Sequence, residues 1–102
     1  MSNSELAQRV EQVICSHIGV DTSMIFERTK KGACVKARHL SMFILHTLYH
    51  ISIRQLSLRY NISVRHTFCS IARIRDYIKY SKSYRDLLNN IVRDLNLEQI
   101  TK

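Results

Sequence analysis

Chain-breaking residues are nearly absent from this sequence, which contains two glycines and no proline among 102 residues. Proline and glycine are the residues that most often end helices or mark turns, so long segments of this chain can stay helical. The β-branched runs needed for several strands are also missing. We predict an all-α fold in a single domain over residues 1–102, a length that buries enough surface to fold without disulfides or metals.

The spacing of apolar residues divides the chain into about six helices. The first is predicted to begin at a Ser2 cap and to end at Gly19, and a short helix follows it. From about residue 35 to residue 49 the sequence is apolar around the whole helical circumference, which predicts a central, buried helix. The last helix begins at Ser81 or Ser83 and carries charges of both signs.

Positive charge is concentrated in the middle of the chain, whose formal net charge is +8. Between Arg28 and Arg75 there are ten Arg or Lys residues, four histidines and no carboxylate. A folded domain that tolerates this self-repulsion usually has a polyanionic partner, because binding releases the counterions condensed on nucleic acid. We therefore expect double-stranded DNA as the partner.

Two predicted helices in the basic stretch are joined by a very short turn. Ser52 can cap the first of them, Asn61 can adopt the left-handed conformation of the turn, and Ser63 can cap a second helix from Val64 to about Tyr80. The apolar residues expected to pin the two helices together are Leu56, Ile62, Phe68 and Ile71. This spacing matches a helix-turn-helix unit at about residues 53–80, whose second helix would read DNA.

These pieces, taken in order over nearly the whole chain, resemble the C-terminal DNA-binding domain of the bacterial chromosomal replication initiator DnaA. Residues 35–42, Val-Lys-Ala-Arg-His-Leu-Ser-Met, resemble the family's Ala-Arg-Pro-Arg-Gln-Met-Ala-Met. Residues 65–68, Arg-His-Thr-Phe, fall on the signature His-Thr-Thr-Val in a gapless reading, whereas a shift of one residue places His66 and Thr67 on His-Thr. The resemblance implies a Trp repressor-like helical fold and a stand-alone DNA reader in replication initiation or transcription regulation, without the nucleotide-binding motor.

Candidate DNA contacts follow from position in this architecture. Arg65, His66 and Thr67 lie in the first turn of the reading helix, where side chains reach base edges, and we expect them to contact bases. The resemblance implies that Arg28, Lys30 and Lys31 contact the adjacent minor groove or its phosphates, and we expect Lys36, Arg38, Arg54 and Arg73 at the DNA backbone. Arg73 and Arg75 diverge on a helix, so at most one of them shares the face of Arg65.

Other functional classes receive little support from the sequence. No paired carboxylates occur in the basic half and no cofactor motif is present, so we expect neither an enzyme nor a bound cofactor or metal. His46 and His50 are four residues apart but have no neighbouring Glu for zinc-protease chemistry. The three cysteines form no framework and no apolar run approaches a membrane span, so we expect a cytoplasmic, nucleoid-associated protein. The alternative function is an adaptor whose basic face binds acidic replication or regulatory proteins.

Overall fold

The computed structural model describes the backbone of residues 2–27 and 31–100, and side chains as far as residue 96. Within these ranges there is no β-strand. The helices in chain order are α1 (Asn3–Ile18), a 3-10 helix (Thr22–Phe26), α2 (Gly32–Thr47), α3 (Ile53–Tyr60), α4 (Val64–Tyr80) and α5 (Lys82–Ile100). The predicted all-α class is confirmed.

The helices begin and end at the capping serines and left-handed turn residues that the sequence predicts. The hydroxyls of Ser2, Ser52 and Ser63 accept hydrogen bonds from the backbone N–H three residues further on, at 3.2, 3.1 and 3.0 Å. Each cap satisfies an amide that has no partner inside its own helix. Gly19 (φ 88°) and Asn61 (φ 54°) end α1 and α3 in the left-handed conformation. The predicted caps and stops of these helices are confirmed.

Helix α2 occupies the centre of the fold, as its all-round apolar pattern predicts. Every residue from His39 to Leu45 is buried, and so are Cys34 and Ala37. Helices α1 and α4 make the most extensive contacts with α2, while the 3-10 helix and α3 also touch it. Side chains with no exposed surface in the resulting core include Ile14, Leu40, Ile44, Leu45, Ile74 and Ile91.

A tight turn joins α2 to α3 and separates the two histidines that the sequence places four residues apart. Helix α2 ends at Thr47, so His50 lies outside it, exposed and with a positive φ of 59°. His46 remains on α2, where its Nδ1–H donates to the carbonyl of Ile51 at 2.9 Å. His46 therefore supports the turn instead of sharing a helical face with His50.

Helix α5 completes the core against α1 and α4. The hydroxyl of Ser81 accepts from the backbone N–H of Tyr84 at 3.4 Å, which places the helix start at the first of the two predicted serines. The rings of Tyr77 on α4 and Tyr84 on α5 lie 5.0 Å apart between centroids. This aromatic pair fixes the end of α4 against α5.

Candidate nucleic-acid interface

Helices α3 and α4 form a closely connected pair. Three residues, 61–63, separate them. Asn61 takes the left-handed conformation, and the backbone N–H of Ile62 donates to the carbonyl of Ser57 at 3.0 Å, closing the end of α3. Because Ser63 caps α4 directly after this turn, the first residues of α4 are held in a fixed orientation relative to α3.

The inward face of α4 consists of Thr67, Ser70, Ile71 and Ile74. Thr67 has no exposed surface, and its hydroxyl donates to the carbonyl of Ser63 at 2.9 Å. The expectation that Thr67 contacts a base is therefore wrong, because its side chain points into the protein and its proton is already donated.

Phe68 takes the outward position that was expected for Thr67. Its side chain is 57% exposed, so the expectation that it pins α3 to α4 is also wrong. Leu56 and Ile71 are buried as predicted, and Ile62 is half-buried against the core. Thr67 lies at helical spacing from the buried Ile71 and Ile74, so the inward face of α4 passes through Thr67 and leaves Phe68 outward.

The remaining cations of α4 lie on its outer surface. Arg65, His66 and Arg73 are exposed, as is Arg75. Seven residues separate His66 from Arg73, about two helical turns, so these two side chains lie on the same side of α4. Arg75 points to the opposite side, because two residues span about 200° of rotation. The structure thus places Arg65, His66 and Arg73 on adjoining parts of one outer surface.

The cations predicted on α2 have different surroundings. Lys31 is exposed and directly precedes the helix. Lys36 is half-buried, with its Nζ 4.7 Å from the centroid of the Tyr84 ring. Arg38 donates from Nε to the carbonyl of Ile25 at 2.7 Å and from a terminal nitrogen to the carbonyl of Glu27 at 2.6 Å. The guanidinium of Arg38 therefore holds the 3-10 helix against α2, and its contact with the DNA backbone stays a prediction.

The other predicted contacts divide between the described and undescribed parts of the chain. Arg54 is exposed in the first turn of α3. Arg28 and Lys30 lie outside the residues that the structure describes.

A buried histidine lies beside this surface. His39 on α2 is 7% exposed, and burial, followed by the positive charges of Arg38, Arg73 and His66, lowers its pKa to about 4. His39 is therefore neutral at physiological pH and adds no charge of its own. The charges of His66 and Arg73 on α4 are therefore close enough to act on the buried imidazole of His39.

One charged cluster was missed by sequence reasoning. Glu11 on α1 is 2% exposed and accepts from Arg59 Nε at 2.8 Å, from a terminal nitrogen of Arg59 at 2.6 Å and from the Tyr60 hydroxyl at 2.5 Å. The Phe26 ring stacks on Tyr60 at 5.5 Å. Burial, followed by the charge of Glu11, raises the pKa of Tyr60 well above its usual value, so the phenol stays protonated and keeps donating. Arg59 is therefore a structural residue despite its place in the basic stretch.

The signal for this cluster was present but weak. Glu11 occupies an inward position of α1, at helical spacing from Ala7 and Ile14, which are both buried. A carboxylate on an otherwise apolar helical face indicates a buried partner, but its identity as Arg59 requires the packing of α1 against the end of α3.

Comparison with known proteins identifies no family, since the chain matches no protein-family model and no curated protein at a significant level. In the described part of the chain, no helix is long and apolar enough to cross a membrane. Nor do the described residues include a group of three or more His, Cys, Asp and Glu side chains arranged to hold a metal ion. Arg65, His66 and Arg73 form an exposed basic group on the outer surface of α4.

Proposed function

We propose that this domain binds double-stranded DNA, with α3 and α4 acting as a helix-turn-helix and the amino-terminal part of α4 entering the major groove. The observation that carries the proposal is the exposed group of Arg65, His66 and Arg73 on a helix whose first turn is capped by Ser63 after a three-residue turn. In helix-turn-helix proteins the first residues of the second helix contact base edges. Arg65 and His66 are in this position.

The charge distribution supports a polyanionic partner. Cations that remain exposed after the internal contacts of Arg38 and Arg59 are accounted for include Lys31, Arg54, Arg65, Arg73 and Arg75. Residues 31–75 include no carboxylate, so these exposed cations repel one another, and the first acidic residue beyond them is Asp76. A duplex supplies closely spaced negative charges along its whole length, so it relieves this repulsion more effectively than a small anion does.

The resemblance to the DnaA C-terminal domain supports a role in replication initiation or transcription regulation. We propose that the chain is a divergent relative that acts at the nucleoid. The burial of Thr67 and the position of Phe68 alter the surface that corresponds to the family's signature. We therefore expect a preferred DNA site different from that of the family.

Salt dependence of duplex affinity tests the proposal directly. If four or five phosphates are neutralised, log affinity falls with log salt at a slope of about −3.6 to −4.5. Fluorescence anisotropy with a labelled duplex, measured from low to moderate salt, gives this slope. A slope near zero, or no binding at low salt, contradicts duplex binding.

Sequence preference is tested by selecting bound duplexes from a random pool. Arg65→Ala should lower affinity for the selected site by about 5-fold to 150-fold and reduce the advantage of that site over random duplex, since one good base contact is worth about 1 to 3 kcal/mol. Arg93→Ala is the matched control, because Arg93 is exposed on α5 and its loss changes the net charge equally. Equal effects of the two variants would mean that Arg65 supplies charge alone.

A second candidate function is an adaptor that uses the basic surface to bind an acidic protein. The internal roles of Arg38 and Thr67 favour this alternative, because they leave fewer of the predicted DNA contacts available. The random-pool selection separates the two functions, since an adaptor enriches no sequence motif and shows only weak, salt-sensitive duplex binding.

A further inference from the structure

Two large apolar side chains lie exposed beside Arg65. Val64 is 52% exposed and Phe68 is 57% exposed. They are four residues apart on α4 and so lie one above the other on the same side of the helix. We call this pair the apolar stripe of α4.

The stripe has a defined position relative to the cations of α4. Phe68 follows Arg65 by three residues and lies about 60° to one side of it, whereas His66 lies about 100° to the other side. Neither stripe residue belongs to the buried face of α4, which includes Thr67 and Ile71. The stripe and the His66 side thus flank Arg65 on the first two turns of the helix.

We propose that Val64 and Phe68 contact the 5-methyl groups of thymine in the major groove, so that the preferred DNA site carries thymine next to the base contacted by Arg65. This inference rests on the proposed duplex binding. The thymine methyl is the apolar group that base pairs present in the major groove, and apolar side chains, including Phe, contact it. A neighbouring cation that is drawn to the duplex brings an adjacent apolar side chain to the same groove.

The charge surrounding the stripe favours DNA over an apolar protein partner. Arg65 borders the stripe near its start, and Arg75 and Lys79 continue on the same side of α4 beyond Phe68. A purely apolar partner would have to desolvate or displace these cations, whereas a duplex offers phosphates to the cations and methyl groups to the stripe in one contact.

The test uses a duplex selected from a random pool and synthesised in two forms, one with thymine and one with deoxyuridine at every thymine position. The change removes only methyl groups and leaves the protein intact. Wild-type protein should bind the uracil form about fourfold more weakly for each methyl group that the stripe buries. Phe68→Ala should bind the thymine form more weakly and lose most of the difference between the two duplexes.

Tyr80→Ala is the matched control, because Tyr80 is an 86% exposed aromatic residue at the far end of the same helix. This variant should keep the full thymine preference. Circular dichroism and thermal unfolding check that Phe68→Ala is folded, which its exposure leads us to expect.

Each outcome has a distinct meaning. Equal wild-type binding to the two duplexes overturns the methyl contact and leaves duplex binding intact, whereas absence of any duplex binding overturns the proposed function itself. If Phe68→Ala changes neither affinity, or retains the full thymine preference, Phe68 does not contact the methyl groups. If the stripe instead binds another protein, Phe68→Ala should leave the affinity for both duplexes unchanged.

Discussion

The neutral state of His39 predicts a specific loss of stability in mild acid. In an unfolded chain the histidine pKa is about 6.5, and in the folded protein that of His39 is about 4. Between these pH values the unfolded chain binds a proton that the folded protein excludes, so the free energy of unfolding falls as the pH decreases. Above pH 6.5 both states are neutral at this site and its contribution to the pH dependence vanishes.

The magnitude follows from the two pKa values. A shift from 6.5 to about 4, at about 1.4 kcal/mol per unit, gives a loss of up to about 3 kcal/mol over the window. For a domain whose total stability is about 5 to 15 kcal/mol, this loss is large enough to measure.

Urea unfolding at several pH values between 4 and 7.5 measures the effect. His39→Gln removes the titrating group, so its stability should depend less on pH than that of the wild type, by up to about 3 kcal/mol over this window. His50→Asn is the control, because His50 is exposed in a left-handed turn that Asn accepts, and it should keep the wild-type slope. Superimposable pH profiles for wild type and His39→Gln would refute the argument that burial keeps His39 neutral.

Three further predictions concern other contacts. Glu11→Ala should lower the free energy of unfolding by about 3 to 5 kcal/mol, because it leaves Arg59 without its buried carboxylate. Thermal melts measure the loss, with Glu5→Ala at an exposed position as the control. Equal melting temperatures of the two variants would contradict the ion-pair argument. Thr67→Val should change stability by less than about 1 kcal/mol and leave duplex preference unaltered, since its hydroxyl only adds a bond to a carbonyl of its own helix; lost preference in the binding assay would restore Thr67 as a base contact. Ser63→Ala removes the cap of α4 and should cost about 1 kcal/mol in urea unfolding, whereas an unchanged midpoint would show that the cap contributes nothing.

The features that the sequence predicts well are governed by neighbours along the chain. A serine cap requires only an amide three residues away, and the left-handed turn at Asn61 requires only its own backbone preference. The central position of α2 follows from an apolar composition that no surface helix would carry. Such features are local, and they place α4 and its first turn correctly.

The inward face of α4 depends on distant partners. Thr67 and Phe68 are adjacent, and hydrophobicity alone favours burial of Phe68 over Thr67. Thr67, Ser70, Ile71 and Ile74 lie on one continuous face of the helix. Packing against α2 and α3 buries this face, so Thr67 is buried and the larger Phe68 is not. The choice is decided by shape across the helix interface.

The sequence also does not show which arginines of the basic stretch are available to a partner. All the arginines of this stretch carry the same side chain and charge. Arg38 nevertheless donates hydrogen bonds to two backbone carbonyls, and Arg59 donates to a buried carboxylate. A count of basic residues therefore overestimates the number available to a polyanion. Only the packed structure separates the arginines that build the fold from those exposed to a partner.

The bond between Glu11 and Arg59 ties together positions 48 residues apart. Transplanting α3 and α4 alone into another scaffold would separate Arg59 and Tyr60 from the carboxylate that both of them contact, and both side chains would lose their acceptor. Helices α3 and α4 thus do not form an independent structural unit. Any minimal fragment or chimaera of this protein must bring the first helix with it.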